Sequence, residues 1–241
     1  MRRFYVPPGQ FGDGRVTLDA DETRHLRDVL RLRVGDEASV FNGLGREFLC
    51  RVEGISKKDA VLAIREEVEP ASPESPLDIT IAAAILPGEK FEITVQKTVE
   101  LGVYRLQPLY TLRCEVKPGG STRRLERWRK IAVESAKQSG RARLMEIGEP
   151  IGFTEFLTST ADAGGSKVFF SERDGTGFDS IKPEKSIIAV LGPKGGWDDT
   201  ELAAAKDAGF TIVTFGGRIM RAETAAIAMT AILQHRFGDL S

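Results

Sequence analysis

A backbone comes closest to a ligand at glycine-rich turns that directly follow apolar strands, and this chain has two such turns in its last quarter. The run Ser-Ile-Ile-Ala-Val-Leu191 leads into Gly192-Pro193-Lys194-Gly195-Gly196-Trp197. Asp198-Asp199-Thr200-Glu201 then has the form of a capping box, with Asp198 as N-cap and Glu201 reaching back. The run Thr211-Ile-Val-Thr-Phe215 leads into Gly216-Gly217-Arg218-Ile219-Met220-Arg221 and a helix expected over 223–237. Neither turn carries the Gly-Lys-Ser/Thr of a Walker loop, nor G-x-G-x-x-G with an acid about twenty residues on. The chemistry on offer is recognition of a small ligand by backbone groups. A merely tight connection uses the same glycines, so the turns alone do not establish a ligand.

The second chemical signal is charge. The chain of 241 residues has a net charge of −1, yet from Arg113 to Arg143 ten Lys/Arg face three Glu, a net +7. A localised basic segment on an otherwise acidic protein points to a polyanion. A helix is expected over 121–139. At 100° per residue Arg123, Arg127, Lys130, Glu134 and Lys137 share one stripe, with Leu125, Trp128, Ala132 and Ala136 opposite. Arg123 and Arg124 sit in the first turn, where the helix dipole favours acids, so helix stability alone would not select them. Four cations against one acid on the stripe cannot be neutralised by i,i+4 pairing. A solvated face is the plain alternative; RNA is the natural polyanion.

These residues need a scaffold. Residues 1–70 read as strands over 3–6, 15–18, 37–42, 47–53 and 60–67, with one helix over 21–32 and a hairpin turn at Asn42-Gly43-Leu44-Gly45. Three prolines between Glu69 and Pro76 exclude a regular element, so 71–76 is expected to link two domains. Over 77–241 strands at 77–86, 105–110, 167–171, 186–191 and 211–215 alternate with helices at 89–101, 121–139, 199–208 and 223–237. That rhythm predicts an α/β domain with a mostly parallel sheet and ligands at strand C-terminal ends. The last helix is apolar from Ala225 to Leu233 except for Thr230, which suggests burial at a subunit interface. Cys50 and Cys114 lie far apart, with only His25 and His235 besides, so no metal is expected. Arg2-Arg3 leads into Phe-Tyr-Val-Pro-Pro-Gly, not an apolar leader, and no apolar run is long enough for a membrane span; a reduced, cytoplasmic setting is expected.

Taken together, the motifs resemble the RsmE family of 16S rRNA uridine-N3 methyltransferases, in the SPOUT (trefoil-knot) superfamily. The resemblance is carried by Arg3-Phe4-Tyr5-Val6-Pro7, His25-Leu-Arg-Asp-Val-Leu-Arg31-Leu with Gly35-Asp36, and Gln96-Lys97-Thr-Val-Glu100-Leu-Gly102. It continues through Arg113, Gln138-Ser139-Gly140-Arg141, Leu191-Gly-Pro-Lys-Gly-Gly-Trp197 and Arg218-Ile-Met-Arg221-Ala-Glu223-Thr224-Ala225. Lys194, Cys114, Lys137 and Pro87 depart from the family's usual Glu, Ser, Glu and Lys.

The resemblance implies a PUA-like β-barrel followed by a knotted methyltransferase domain, a homodimer, S-adenosylmethionine as cofactor and 16S rRNA as partner. It implies cofactor contacts from Leu191, Gly192, Pro193, Gly195, Gly196, Phe215, Gly216, Ile219, Met220, Arg221, Thr224 and Ala225. Arg221 is expected to stabilise charge on the uracil carbonyls as N3 loses its proton, with Glu223 as orienting partner or proton acceptor. An ion pair between the two that pins the helix start is the plain alternative. Phosphate contacts are expected from Arg3, Arg27, Arg31, Arg113, Arg123, Arg127, Lys130, Lys137 and Arg141. His25 is read as a packing or capping residue.

Overall fold

The computed structural model describes residues 2–182 and 184–240. The chain forms two compact units, one running to Glu74 and adding Val133–Leu144, the other holding Ser75–Ala132 and the chain from Met145 on.

In the first unit, strands β1 (Arg3–Tyr5), β2 (Phe11–Gly12), β3 (Arg15–Leu18), β4 (Glu37–Phe41), β5 (Glu47–Ile55) and β6 (Ala60–Val68) form one sheet in the order β1-β4-β5-β6-β3-β2. Only β1–β4 is parallel. Alternate residues of each strand point inward, so Val16, Leu18, Val40, Phe48, Val52 and Leu62 meet Phe4 and Leu26 in a single core. The turn at Asn42 is local chemistry: its Oδ1 accepts from the Leu44 and Arg46 amides at 2.8 and 3.2 Å, and Gly43 takes φ +77°.

The helix expected over 21–32 is shorter and wider. Helix α1 (Ala20–Arg24) is capped by the Asp19 carboxylate and passes into a π turn over His25–Val29. The Leu30 amide bonds back to the His25 carbonyl, and Arg31 ends the turn at φ +54°. The extra residue keeps Leu26 and Leu32 buried but rotates Val29 out to 65% exposure, although regular helical spacing would place it beside Leu26.

The second unit runs through β7 (Asp78–Ala84), α2 (Glu89–Glu100), β8 (Arg105–Tyr110), α3 (Ser121–Ser139), β9 (Glu146–Ile147), β10 (Ile151–Gly152), α4 (Phe153–Ser159), β11 (Ser166–Phe170), β12 (Ser186–Leu191), α5 (Asp199–Asp207), β13 (Thr211–Val213) and α6 (Ala222–Phe237). Its strands are parallel throughout, in the order β10-β8-β7-β12-β11-β13 with β9 on β8. The central β7 and β12 are near-continuous apolar runs, as strands covered on both faces must be.

Sequence patterning had not marked β2, β9, β10 or α4. Two-residue strands carry no period, but α4 does bury Phe153, Phe156 and Leu157 at helical spacing. Strand β13 stops at Val213, short of the expected Phe215, because the Thr214 amide turns to the Thr176 carbonyl. Helix α3 buries Leu125, Trp128, Ala132 and Ala136, the expected face. The last seven residues of α3 and the turn after it, read in sequence as part of the second domain, belong to the first unit. There the Arg3 guanidinium takes the carbonyls of Ala136, Gly140 and Arg141 at 2.7–3.0 Å. No helix among the described residues is long and apolar enough to cross a membrane.

Candidate functional site

The two glycine turns leave neighbouring parts of one parallel sheet, since β12 and β13 both pair with β11. The first turn is locked from below by Trp197. Its ring is buried against Phe169 and Phe153, with centroids at 4.3 and 5.4 Å, and its indole N–H donates to the Phe170 carbonyl at 2.9 Å. Removing this ring would cost about 3–5 kcal/mol. A Cβ on Gly192 would stand 2.8 Å from the Trp197 Nε1, so glycine there serves packing first. Gly196 closes the turn at φ +71°, its amide on the Pro193 carbonyl at 3.0 Å.

The first turn is also tied at its side. Arg113 donates to the Gly195 carbonyl at 3.3 Å and to Asp198 at 3.2 Å, and Lys194 pairs with Glu115 at 3.1 Å. The capping box at Asp198 and Glu201 forms as its sequence predicts. Hydrogen bonds from the side chain and amide of Thr200, helped by Arg113, hold the Asp198 carboxyl below the usual range. The second turn is freer. Gly216 sits at φ +75° with open space where a Cβ would point. Beyond it Ile219 is 91% exposed.

Between the turns lies a cavity of about 480 Å³. Of the expected cofactor residues, Leu191, Gly192, Pro193, Gly195, Gly196, Phe215, Gly216, Ile219, Met220 and Ala225 line it. Arg221 and Thr224 do not. Sequence reasoning missed Phe170, Ser171, Glu172, Trp197 and Met229, which with five neighbours of the expected residues complete the walls. The rule that α/β sheets bind ligands at strand C-terminal ends, applied to β11, would have pointed to Ser171 and Glu172.

Arg221 is the N-cap residue of α6. Its carbonyl accepts the Ala225 amide at 2.8 Å, while its exposed side chain makes no capping bond. Glu223, half-buried in the first turn, is not paired with Arg221, nor does either form another ion pair among the described residues. The ion pair that would have explained both as a helix pin is therefore missing.

The expected RNA contacts divide. Arg123 and Lys130 are exposed on α3; Arg127, on the same stripe, reaches Glu92 at 2.7 Å. Arg31 is exposed at the end of the π turn, and Arg27 pairs with its neighbour Asp28. Three others are corrected. Arg3 is 2% exposed, bidentate on Glu47 and lying 4.1 Å over the Phe41 ring. Lys137 is buried between Glu22 at 2.9 Å and Glu134 at 3.1 Å, and Arg141 is buried on Glu74. Their charge is spent on the protein's own acids and carbonyls, so none offers a phosphate contact. His25 packs edge-on to Phe4, its imidazole held below the usual range by burial and by nearby Lys137.

Known proteins agree with this architecture. A family model described as an RNA methyltransferase domain matches residues 73–234, and one described as an RNA methyltransferase PUA domain matches residues 18–65. The ribosomal RNA small subunit methyltransferase E of Synechocystis is 33% identical over 228 residues, covering 92% of this chain and 74% of that protein. The crystal structure of ribosomal RNA small subunit methyltransferase E from Neisseria gonorrhoeae, bound to S-adenosyl methionine, superposes with a TM-score of 0.92 at 35% identity, covering all of both chains. A putative methyltransferase from Legionella pneumophila, in complex with the cofactor SAM, gives 0.91 at 31% identity and covers 99% of each chain. With its paired glycine turns, its β-sheet first unit and these relatives, the chain belongs to the ribosomal RNA small subunit methyltransferase E family.

Proposed function

We propose that this protein transfers the methyl group of S-adenosylmethionine to N3 of a uridine in small-subunit ribosomal RNA. The observation that carries the reading is the cavity between the two glycine turns, in a chain whose family relatives are crystallised with that cofactor. The cavity fits the group. Adenine needs neutral donors and acceptors at close range, and the backbone of the two turns offers them, with open space where a side chain at 216 would stand. Leu191, Phe215, Met220 and Met229 offer apolar surface for the base.

When bound, the cofactor supplies an electrophilic methyl on a sulfonium. Alignment and exclusion of water then matter more than covalent help from the protein. As the N3–C bond forms and the methyl–sulfur bond breaks, N3 must lose its proton and negative charge develops on the flanking carbonyl oxygens. Arg221, without an ion pair among the described residues, at the head of α6 and directly after cavity residues Ile219 and Met220, is the group assigned to that charge. The positive end of the helix dipole reinforces it. Glu223, in the first turn of α6, orients the base or accepts the proton.

RNA is held by the exposed part of the basic segment, Arg123, Arg127 and Lys130, with Arg113 beside the first turn and Arg27 and Arg31 on the first unit. The active species is a homodimer working in the cytoplasm. Helix α6 buries Ala226, Met229, Thr230 and Leu233 within the chain but leaves Ile227, Ala228, Ala231 and Ile232 only half covered.

The deciding experiment is mapping of modified nucleotides in 16S rRNA incubated with the protein and S-adenosylmethionine. A uridine gaining an N3-methyl, which blocks Watson–Crick pairing and stops reverse transcription, is the expected result. Methylation of a ribose hydroxyl, or of transfer RNA alone, would overturn the reading. Light scattering should report about twice 26.4 kDa; a methylating monomer would defeat the dimer.

A further inference from the structure

The backbone of the glycine turns accounts for adenine and leaves the cavity's one acid without a role. Among the described residues lining the cavity, Glu172 is the sole carboxylate; the other charged ones are Lys194 and Arg218. Glu172 lies just past β11, the strand that pairs with both β12 and β13, so it stands between the two turns at the C-terminal edge of the sheet. Its carboxylate abuts the first turn: a Cβ on Gly196 would come within 2.9 Å of Oε1. Glycine at 196 is required by its φ of +71°, and a Cβ there would also push this carboxylate aside.

The carboxylate is oriented but not consumed. Its Oε1 accepts from the Arg173 Nη1 at 3.3 Å. That guanidinium is itself tied to the Trp197 carbonyl at 3.2 Å and to Asp199 at the start of α5. The second oxygen, Oε2, accepts no hydrogen bond among the described residues, and the side chain is 38% exposed. An acceptor pair with one free oxygen, beside turns that read a base through backbone, matches a vicinal diol.

We propose that Glu172 binds the ribose hydroxyls of the adenosyl cofactor and so positions it in the cavity, an inference that rests on the cofactor reading above. The sulfonium of the cofactor is the weaker match for a physical reason. The sulfonium loses its charge during transfer, so a carboxylate against it would stabilise the ground state more than the transition state and slow the reaction. Hydroxyl contacts are the same before and after transfer and carry no such penalty.

The test is calorimetry on the full chain with S-adenosylmethionine, S-adenosylhomocysteine and the 2′,3′-dideoxy analogue of the latter. Wild-type protein that binds none of the three would sink the cofactor reading itself. Given wild-type binding, Glu172→Gln should weaken S-adenosylmethionine and S-adenosylhomocysteine equally, by about tenfold or more, as loss of a hydrogen bond to a charged group does. The dideoxy analogue should bind wild type and variant alike. KM for S-adenosylmethionine should rise with kcat nearly unchanged, and Glu172→Asp, which keeps a carboxylate, should recover part of the affinity. Weakening of S-adenosylmethionine alone would reassign the carboxylate to the sulfonium, and a dideoxy analogue still sensitive to the variant would exclude the diol; either result overturns the proposal.

Discussion

The basic segment from Arg113 to Arg143 has two halves that read alike in sequence and behave oppositely in the structure. In the first half, Arg123, Arg129 and Lys130 stand in solvent. In the second, Lys137 and Arg141 are buried and share their surroundings with the guanidinium of Arg3. A cation in water keeps its charge available to a phosphate. A cation out of water survives only by matching its charge within the protein, and then has none to offer. Net charge along a window therefore overstates the surface a polyanion can use.

The largest effect belongs to the buried half. Arg3→Ala leaves the Glu47 carboxylate, 3% exposed, without its cationic partner, and takes one donor each from the Ala136, Gly140 and Arg141 carbonyls. Stability should fall by about 3–5 kcal/mol in urea unfolding. A loss under about 1 kcal/mol, the range of an exposed ion pair, would mean that Arg3 does not hold this region together.

Arg221→Ala is the contrasting arginine, exposed and unpaired. Stability should stay within about 0.5 kcal/mol of wild type. Single-turnover methylation with saturating RNA should drop by roughly two to three orders of magnitude, as when one oxyanion donor is removed. Full rate at saturating RNA would make Arg221 a binding residue and refute the proposed mechanism.

Lys137→Met tests the buried half from its other end. Removing the ammonium strands Glu22, whose side chain is 13% exposed, at a cost of about 1–3 kcal/mol. Burial alone would lower the lysine's pKa, but the hydrogen bond and charge of Glu22, with those of Glu134, outweigh it and leave it raised. Its stabilising contribution is then complete below the ordinary lysine value, near ~10.4, and is lost as pH rises through the folded one. Wild type should lose more stability than the variant across that alkaline window; parallel curves would remove Lys137 from the account. RNA affinity, measured where both are folded, should not change.

The smallest effect is in the exposed half. Arg123→Ala with Lys130→Ala should cost roughly 1 kcal/mol of RNA affinity per residue at low salt and flatten the salt slope by about one unit each. Stability should barely move. An unchanged slope would make the stripe a solvated face and shift RNA binding to Arg27 and Arg31.

What the chain's order of residues determined by itself is whatever closes within a few positions. The glycine turns, the Asp198–Glu201 capping box, the Asn42 turn and the apolar face of α3 all depend on backbone torsions or on bonds spanning four residues or fewer, so residue type and spacing specify them. Ten of the residues that the resemblance implies around a cofactor line one cavity, each turn shaped locally but the two brought together by β11. Tertiary structure decided the rest. Arg3 finds Glu47 44 positions away, Lys137 finds Glu22 115 away, and Arg141 finds Glu74 67 away, so no window of sequence distinguishes them from the solvated cations of α3. The π turn that exposes Val29 answers to a core that must take both Leu26 and Leu32. Glu172 becomes part of the cavity only because β11 pairs between the two strands that carry the glycine turns. A buried charge and a shared wall are properties of what comes to lie beside a residue, and packing alone sets that.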